Sequence, residues 1–474
     1  MTAESKYTLK KTGKAVLDCR GTPVSYPDRA AIVALEKAHE SALAFRGDPI
    51  AEIDVVIADH PDFVMAHLFK AAWLTQAMET RVYDDMVQAV NAADKIIHKA
   101  NDRERGHLEA VQAWIRGDFF GAIQKWEAIL TYYPLDLLAL QLVHQTDVLL
   151  GDVVGQRDVV ARVFNLWDEG VEGYEFVLGF YAFGLEENRD FHLAEQMGRL
   201  SLAIRPENPY AVHAVCHVME MKGRQPGGIR FMYEHVDRWG KSNFVNHLWW
   251  HTALLHLDIK EIDRVLEIYD QHLRSTGQEG AKYDELDSAA LLWRLKLLGV
   301  DTGDSWKDLA DKWASSAQDT LYAFNDVHAM MTFVSDDRVD AQNLLLNANE
   351  RYIESASDAN AAVSREIGIP FCLAIQDFHH ERYASCVERL LPVRYMTHRL
   401  GGSFAQRDII AWTLLEAALR AKQYHLALAL ANERSAFKPT SPQNWSYVAQ
   451  AFKGLGDQSN ADRAEAKAQS LIAG

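Results

Sequence analysis

The stretch Gly117-Asp118-Phe119-Phe120-Gly121-Ala122-Ile123-Gln124-Lys125-Trp126-Glu127-Ala128-Ile129-Leu130-Thr131-Tyr132-Tyr133-Pro134-Leu135-Asp136 decides the fold. A short polar turn opens it, an amphipathic helix follows, and a proline that cannot continue the helix closes it. The same grammar recurs from Asn188-Arg189-Asp190-Phe191-His192-Leu193-Ala194-Glu195 to Arg205-Pro206-Glu207-Asn208. It returns from Lys422-Gln423-Tyr424-His425-Leu426-Ala427 to Lys438-Pro439-Thr440-Ser441. Pro61, Pro134 and Pro206 stand 73 and 72 residues apart, about twice the ~34-residue period of a tetratricopeptide repeat. Small alanines let two helices cross closely before each proline. No sustained period-two alternation argues for a sheet. The expected architecture is all-α: a tetratricopeptide-like solenoid of stacked helical hairpins, with ten to fourteen helices and a quasi-one-dimensional core. Its register blurs between residues 275 and 400. Residues 1–28, with Gly21, Pro23 and Pro27 opposing helix, are expected to form an irregular arm, and residues 29–474 a single repeat domain.

With 474 residues and 48% hydrophobic residues, the chain can bury a large core. Its formal net charge of −17 argues against nucleic acid and anionic membranes as partners, because both need clustered cations. The N-terminus leads into no apolar segment, and no run of about 18 apolar residues occurs. Cys19, Cys216, Cys372 and Cys386 form no C-x-x-C pair. Free thiols in a long chain fit a reducing compartment, so a cytoplasmic location is expected.

Two stretches carry chemistry. Val212-His213-Ala214-Val215-Cys216-His217-Val218-Met219-Glu220 and Asn246-His247-Leu248-Trp249-Trp250-His251 each set two histidines at i and i+4, on one helix face. The segments are one intervening helix apart, which makes them candidates for neighbouring inner helices. His213, His217, His247 and His251 form a ligand pool for a divalent metal, zinc first and iron second. Glu220, in phase with the first pair, is the candidate general base or further ligand. The order is not the H-E-x-x-H of zinc proteases. The plainer reading is a structural seam of hydrogen-bonded imidazoles.

Asn325-Asp326-Val327-His328, with Asp284 and Asp287 upstream, offers a further ligand or a group that orients an imidazole. Alternatively, Asn325 or Asp326 caps a helix beginning near Val327. The turn Leu400-Gly401-Gly402-Ser403, followed by Gln406-Arg407-Asp408, can bind an anion through backbone N–H groups and Arg407, or can be a plain helix cap. Arg365 is a second cation for the same ligand, and Trp250 is a candidate apolar wall. His67, His107, His144 and Arg157-Asp158 read as satisfied core or surface polar groups.

Several of these stretches, together with Asp62-Phe63-Val64-Met65-Ala66-His67 and Arg365-Glu366-Ile367-Gly368-Ile369-Pro370, resemble the tetratricopeptide repeat protein 38 family along nearly the whole chain. The resemblance implies a tetratricopeptide-like solenoid and implies no activity. Two functions fit the residues. One is a metal-dependent enzyme, hydrolysing an amide or ester bond of a small anionic molecule or, as second choice, an iron oxygenase. The other is a protein–protein interaction scaffold. Whether the solenoid closes on itself or stays open separates the two. Oligomeric state is not legible.

Overall fold

The computed structural model describes residues 16–274 and 282–473. Within them the arm carries a two-stranded antiparallel ribbon, Val16–Leu17 against Pro23–Val24. It is pinned where Ser25 N donates to Glu104 at 2.9 Å and Asn101 Nδ2 donates to the Pro23 carbonyl at 3.0 Å. Residues 1–15 of the expected arm lie outside the described residues. The first helix, Arg29–Leu43, starts on the side-chain cap of Asp28.

From there the chain is helical, with 26 α-helices among the described residues. This exceeds the expected ten to fourteen: at two helices per ~34-residue repeat, residues 29–474 hold about two dozen. Asp102–Ile115 packs on Phe119–Tyr132, Tyr174–Glu187 on Phe191–Ile204, and Pro442–Gly454 on Gln458–Ala473. Aspartates in the polar turns start the helices: Asp118 accepts from Gly121 N, Asp136 from Ala139 N and Asp190 from Leu193 N. The fold is a tetratricopeptide-like α-solenoid.

Within a hairpin the two helices differ. Phe191–Ile204 buries only Ala194, Gly198 and Ser201, a narrow small-residue stripe on which its neighbour rides. Pro209–Met221, by contrast, buries every residue from Pro209 to Glu220, and Val245–Asp258 every residue from His247 to Leu257. A helix buried all round has no solvent face. Polar residues on it must therefore find partners inside the protein.

Inner helices are enclosed because the solenoid closes on itself. Gly402 N donates to the Val148 carbonyl at 2.9 Å, Tyr322 Oη donates to the Leu149 carbonyl at 2.9 Å, and Lys438 reaches Glu220 across 218 positions. Gly401 sits at the seam with φ +88, and a Cβ there would meet the Leu149 carbonyl oxygen at 2.0 Å. Only glycine combines that left-handed backbone with so close an approach. No helix among the described residues is long and apolar enough to cross a membrane.

Candidate metal centre

Pro209–Met221 and Val245–Asp258 are neighbouring inner helices, and their four histidines meet. His213 Nε2 lies 3.0 Å from His251 Nε2 and 3.0 Å from His247 Nε2. His247 Nε2 lies 3.0 Å from His251 Nε2, and His217 Nε2 lies 3.1 Å from His251 Nε2. All four side chains are buried. Each Nε2 carries either one hydrogen or one lone pair, so four such atoms form at most two hydrogen bonds. There are four close contacts. Two of them have no hydrogen to share.

The far sides of two rings are fixed by carboxylates. His247 Nδ1 lies 2.7 Å from Asp287 Oδ2, on the inner helix Lys282–Leu297. His217 Nδ1 lies 3.1 Å from Glu186 Oε2, on the inner helix Tyr174–Glu187. That second approach is an ion-pair distance with poor hydrogen-bond alignment, since Glu186 Oε2 has no well-aligned donor. A carboxylate on Nδ1 holds the proton there and turns the Nε2 lone pair inward, the usual support for a metal-bound histidine. His251 differs, because its Nδ1 is buried without a partner.

Burial, and then the neighbouring imidazoles, push His213 and His251 well below the usual histidine range. Burial also opposes charge on His217, but Glu186 outweighs it and leaves the ring above its ordinary value. His213 and His251 thus favour the neutral, ligand-competent form while His217 favours a proton.

The spacing suits an ion. Metal–nitrogen bonds of about 2.0–2.1 Å set tetrahedral donors roughly 3.4 Å apart and adjacent octahedral donors roughly 3.0 Å apart. The triangle of His213, His247 and His251 has the second spacing. His213, His217 and His251 also form a buried donor group within 4.8 Å, as do Glu186, Glu187 and His217.

The other expected residues lie elsewhere. Glu220 accepts from Lys438 Nζ at 2.9 Å, and that lysine also pairs with Asp258 at 2.7 Å. Glu186 and Asp287 are the carboxylates that reach the imidazoles. Asp326 is buried, pushed up to about 8 by desolvation, and bonded to Asn349. His328 Nδ1 lies 2.7 Å from the Phe324 carbonyl, within its own helix. That helix, Ala323–Ser335, begins before Val327, so neither Asn325 nor Asp326 caps it; the amide of Ala323 is met by Asn360 Oδ1 at 2.9 Å. Arg365 is exposed and donates to the Ile353 carbonyl. Arg407 and the amide of Phe404 hold an internal anion, Glu187, at 3.3 and 2.9 Å. Ser403 and Gln406 form a capping box on the same helix. The expected anion cradle is therefore occupied by the protein's own carboxylate. Trp250 stacks on His247 at 5.4 Å and is fully buried, a wall of the cluster.

A cavity of about 460 Å³ lies at the seam, bordered by Glu220, Leu254 and Asp258 on one side and by the helix Phe404–Arg420 on the other. It touches the C-terminal ends of both histidine helices but none of the four imidazoles. Sequence reasoning named Asp287 beside the candidates for orienting an imidazole, and it does so for His247; it missed Glu186 as an imidazole partner and Arg294 in this cavity. Glu186 and Arg294 each follow an uncharged run, Phe176–Leu185 and Ser288–Trp293, and that was the available signal.

No protein-family profile matches the chain. It is similar in structure to a human IFIT1 dimer with PPP-AAAA, at 12% identity over 94% of this chain and 100% of that one, with a TM-score of 0.39. Yeast Tom70 is similar at 12% identity over 94% and 92%, with a TM-score of 0.33. At such scores the fold assignment rests on the hairpins themselves.

Proposed function

We propose that His213, His247 and His251 bind a divalent transition metal, zinc as first assignment and iron as second, and that the chain is a metal-dependent enzyme. One observation carries this reading: four imidazole nitrogens make more close contacts than hydrogen bonds can account for. A shared cation would convert mutually repelling lone pairs into a donor set. The proposed chemistry is hydrolysis of an amide or ester bond in a small anionic molecule. With three protein ligands and an open position, zinc lowers the pKa of bound water to about 7. The His217–Glu186 pair, rather than Glu220, is then the titratable pair beside that position. Membership of the tetratricopeptide repeat protein 38 family and a cytoplasmic location belong to the same proposal; the four unpaired cysteine thiols support the latter.

A second reading is favoured by the burial of all four rings and by the cavity stopping short of them. If His217 is a fourth ligand, the coordination shell is closed and the metal is structural, in a scaffold. Metal analysis by mass spectrometry of the purified protein tests the common premise, with a His213→Ala/His247→Ala double variant alongside. Near-stoichiometric metal in the wild type, lost from a still-helical variant, is expected. Metal-free wild type after reconstitution with zinc and with iron would overturn both forms. X-ray absorption of the loaded protein then separates them: three imidazoles plus oxygen supports the enzyme, four imidazoles the structural centre.

A further inference from the structure

The seam cavity holds one cation that no carboxylate meets directly. Lys438 is balanced by Glu220 and Asp258, Arg434 by both oxygens of Asp408 at 2.6 and 3.0 Å, and Arg407 by Glu187. Arg394, at the rim, lies over the exposed ring of Tyr395 and reaches Glu433 only at 4.0 Å. Arg294 is different. It comes from the inner helix Lys282–Leu297, is 2% exposed, and borders the cavity. Among the described residues its guanidinium donates only to two backbone carbonyls, Ala290 at 2.9 Å and Ala405 at 2.5 Å, and lies over the Trp250 ring at 5.2 Å. Asp408, Glu220 and Asp287 attract it only from beyond ion-pair distance. Burial lowers its pKa to about 10, which leaves it charged at neutral pH.

A buried cation without a carboxylate is costly unless an anion joins it. The remaining wall is mostly apolar, with Leu254, Leu257, Ile410, Leu414, Leu430 and Trp412 among its residues. Thr397, His398, Ser441, Gln443 and Asn444 are its neutral polar groups. A volume of this size, mostly apolar with a few convergent polar groups, is that of a small-molecule site. Arg294 itself has room for one anionic partner, and the planar fork of arginine fits a carboxylate. We propose that the seam cavity binds a small monocarboxylate with an apolar body, its carboxylate on Arg294 and its body against the leucines. Binding does not depend on the metal; only turnover of the ligand rests on the function proposed above.

Titration calorimetry with octanoate and phenylbutyrate, against octanol as the neutral counterpart, tests this on the full chain. At least one acid is expected to bind, with octanol roughly tenfold or more weaker. Arg294→Met is expected to weaken the acid by roughly ten- to a hundredfold. Because Arg294 also ties two backbone carbonyls, Ala411→Trp serves as a second variant. Ala411 borders the cavity yet is exposed on its helix, so the larger ring enters open space. It is expected to abolish binding while helicity and melting temperature are retained. The His213→Ala/His247→Ala variant is expected to bind as the wild type does, so failure of the metal reading leaves this result standing. Neither acid binding, octanol binding equally, or Ala411→Trp binding unchanged would each overturn the proposal.

Discussion

Two clusters of buried polar side chains sit on inner helices of the same solenoid, and their chemistry is opposite. Near the N-terminus, Asp136 Oδ2 accepts from Arg103 at 2.9 Å and from His107 at 3.0 Å, while Oδ1 accepts from the amide of Ala139. Every contact there pairs a donor with an acceptor, and the one carboxylate faces a full positive charge. In the histidine cluster the inner contacts are nitrogen against nitrogen, and the carboxylates stand behind the rings. Burial is comparable in both. What differs is whether the groups that touch pair a donor with an acceptor, and that difference separates a cluster that holds the fold from one built to receive something else.

The N-terminal cluster should break hardest. Arg103→Met would leave Asp136 with His107 and the Ala139 amide, but Asp136→Ala strands both Arg103 and His107 and removes a helix cap. It is expected to cost about 3–5 kcal/mol, read as a fall in the denaturant midpoint with metal content per folded molecule unchanged. Asp136 is held well below the usual carboxylate range; burial works against this, and the charges of His107 and Arg103 prevail. A carboxylate whose folded pKa is depressed stabilises above its unfolded value and loses that contribution as pH falls below it. Wild type should therefore lose stability steeply below about pH 4, and the variant less so. A variant as stable as wild type would mean that the cluster is incidental.

The histidine cluster should break in the other currency. Asp287→Asn keeps the shape behind His247 but removes the charge that orients it. Metal affinity is expected to drop about 10–100-fold, measured by competition with a chelator, with little change in metal-free stability. The reverse pattern, lost stability at unchanged affinity, would make Asp287 part of a structural seam and erase the contrast with Asp136.

How much of this contrast was legible depends on distance along the chain. Hairpins could be read because turn, helix and proline are local, and the histidine pairs because i and i+4 are local. Glu220 misled for a physical reason. It shares the face of His213, but at about 1.5 Å of rise per residue it stands roughly 10 Å further along the helix axis, where the seam supplies Lys438. The partners that do meet the rings, Glu186 and Asp287, come from other hairpins. So does closure of the solenoid, which turned Gly401 and Arg407 from an anion cradle into a packing seam. A carboxylate after the uncharged run Phe176–Leu185 is the trace Glu186 leaves in the sequence, and a carboxylate in an apolar helix is shared by Asp147, which does nothing of the kind.

Asp147 sharpens the comparison from a third side, since it is buried like Asp136 and Asp287 but has no cationic partner. Desolvation first, then the carboxylate of Asp152, pushes it up to about 9, and its Oδ2 has no hydrogen-bond partner. It is thus protonated in the folded protein at neutral pH and ionised in the unfolded chain. A group whose folded pKa is raised contributes most below its unfolded value, near 3.8, and loses that contribution as pH rises toward about 9. Asp147→Asn cannot ionise, so it is expected to flatten the decline of stability between pH 5 and 9 and to gain about 1–2 kcal/mol at pH 8. The gain is held small because the amide brings donors of its own into the same dry site. Urea midpoints measured across that range for both proteins check the sign. Parallel curves would mean that water or a cation reaches Asp147, and that burial on an inner helix does not suffice to keep a carboxyl neutral.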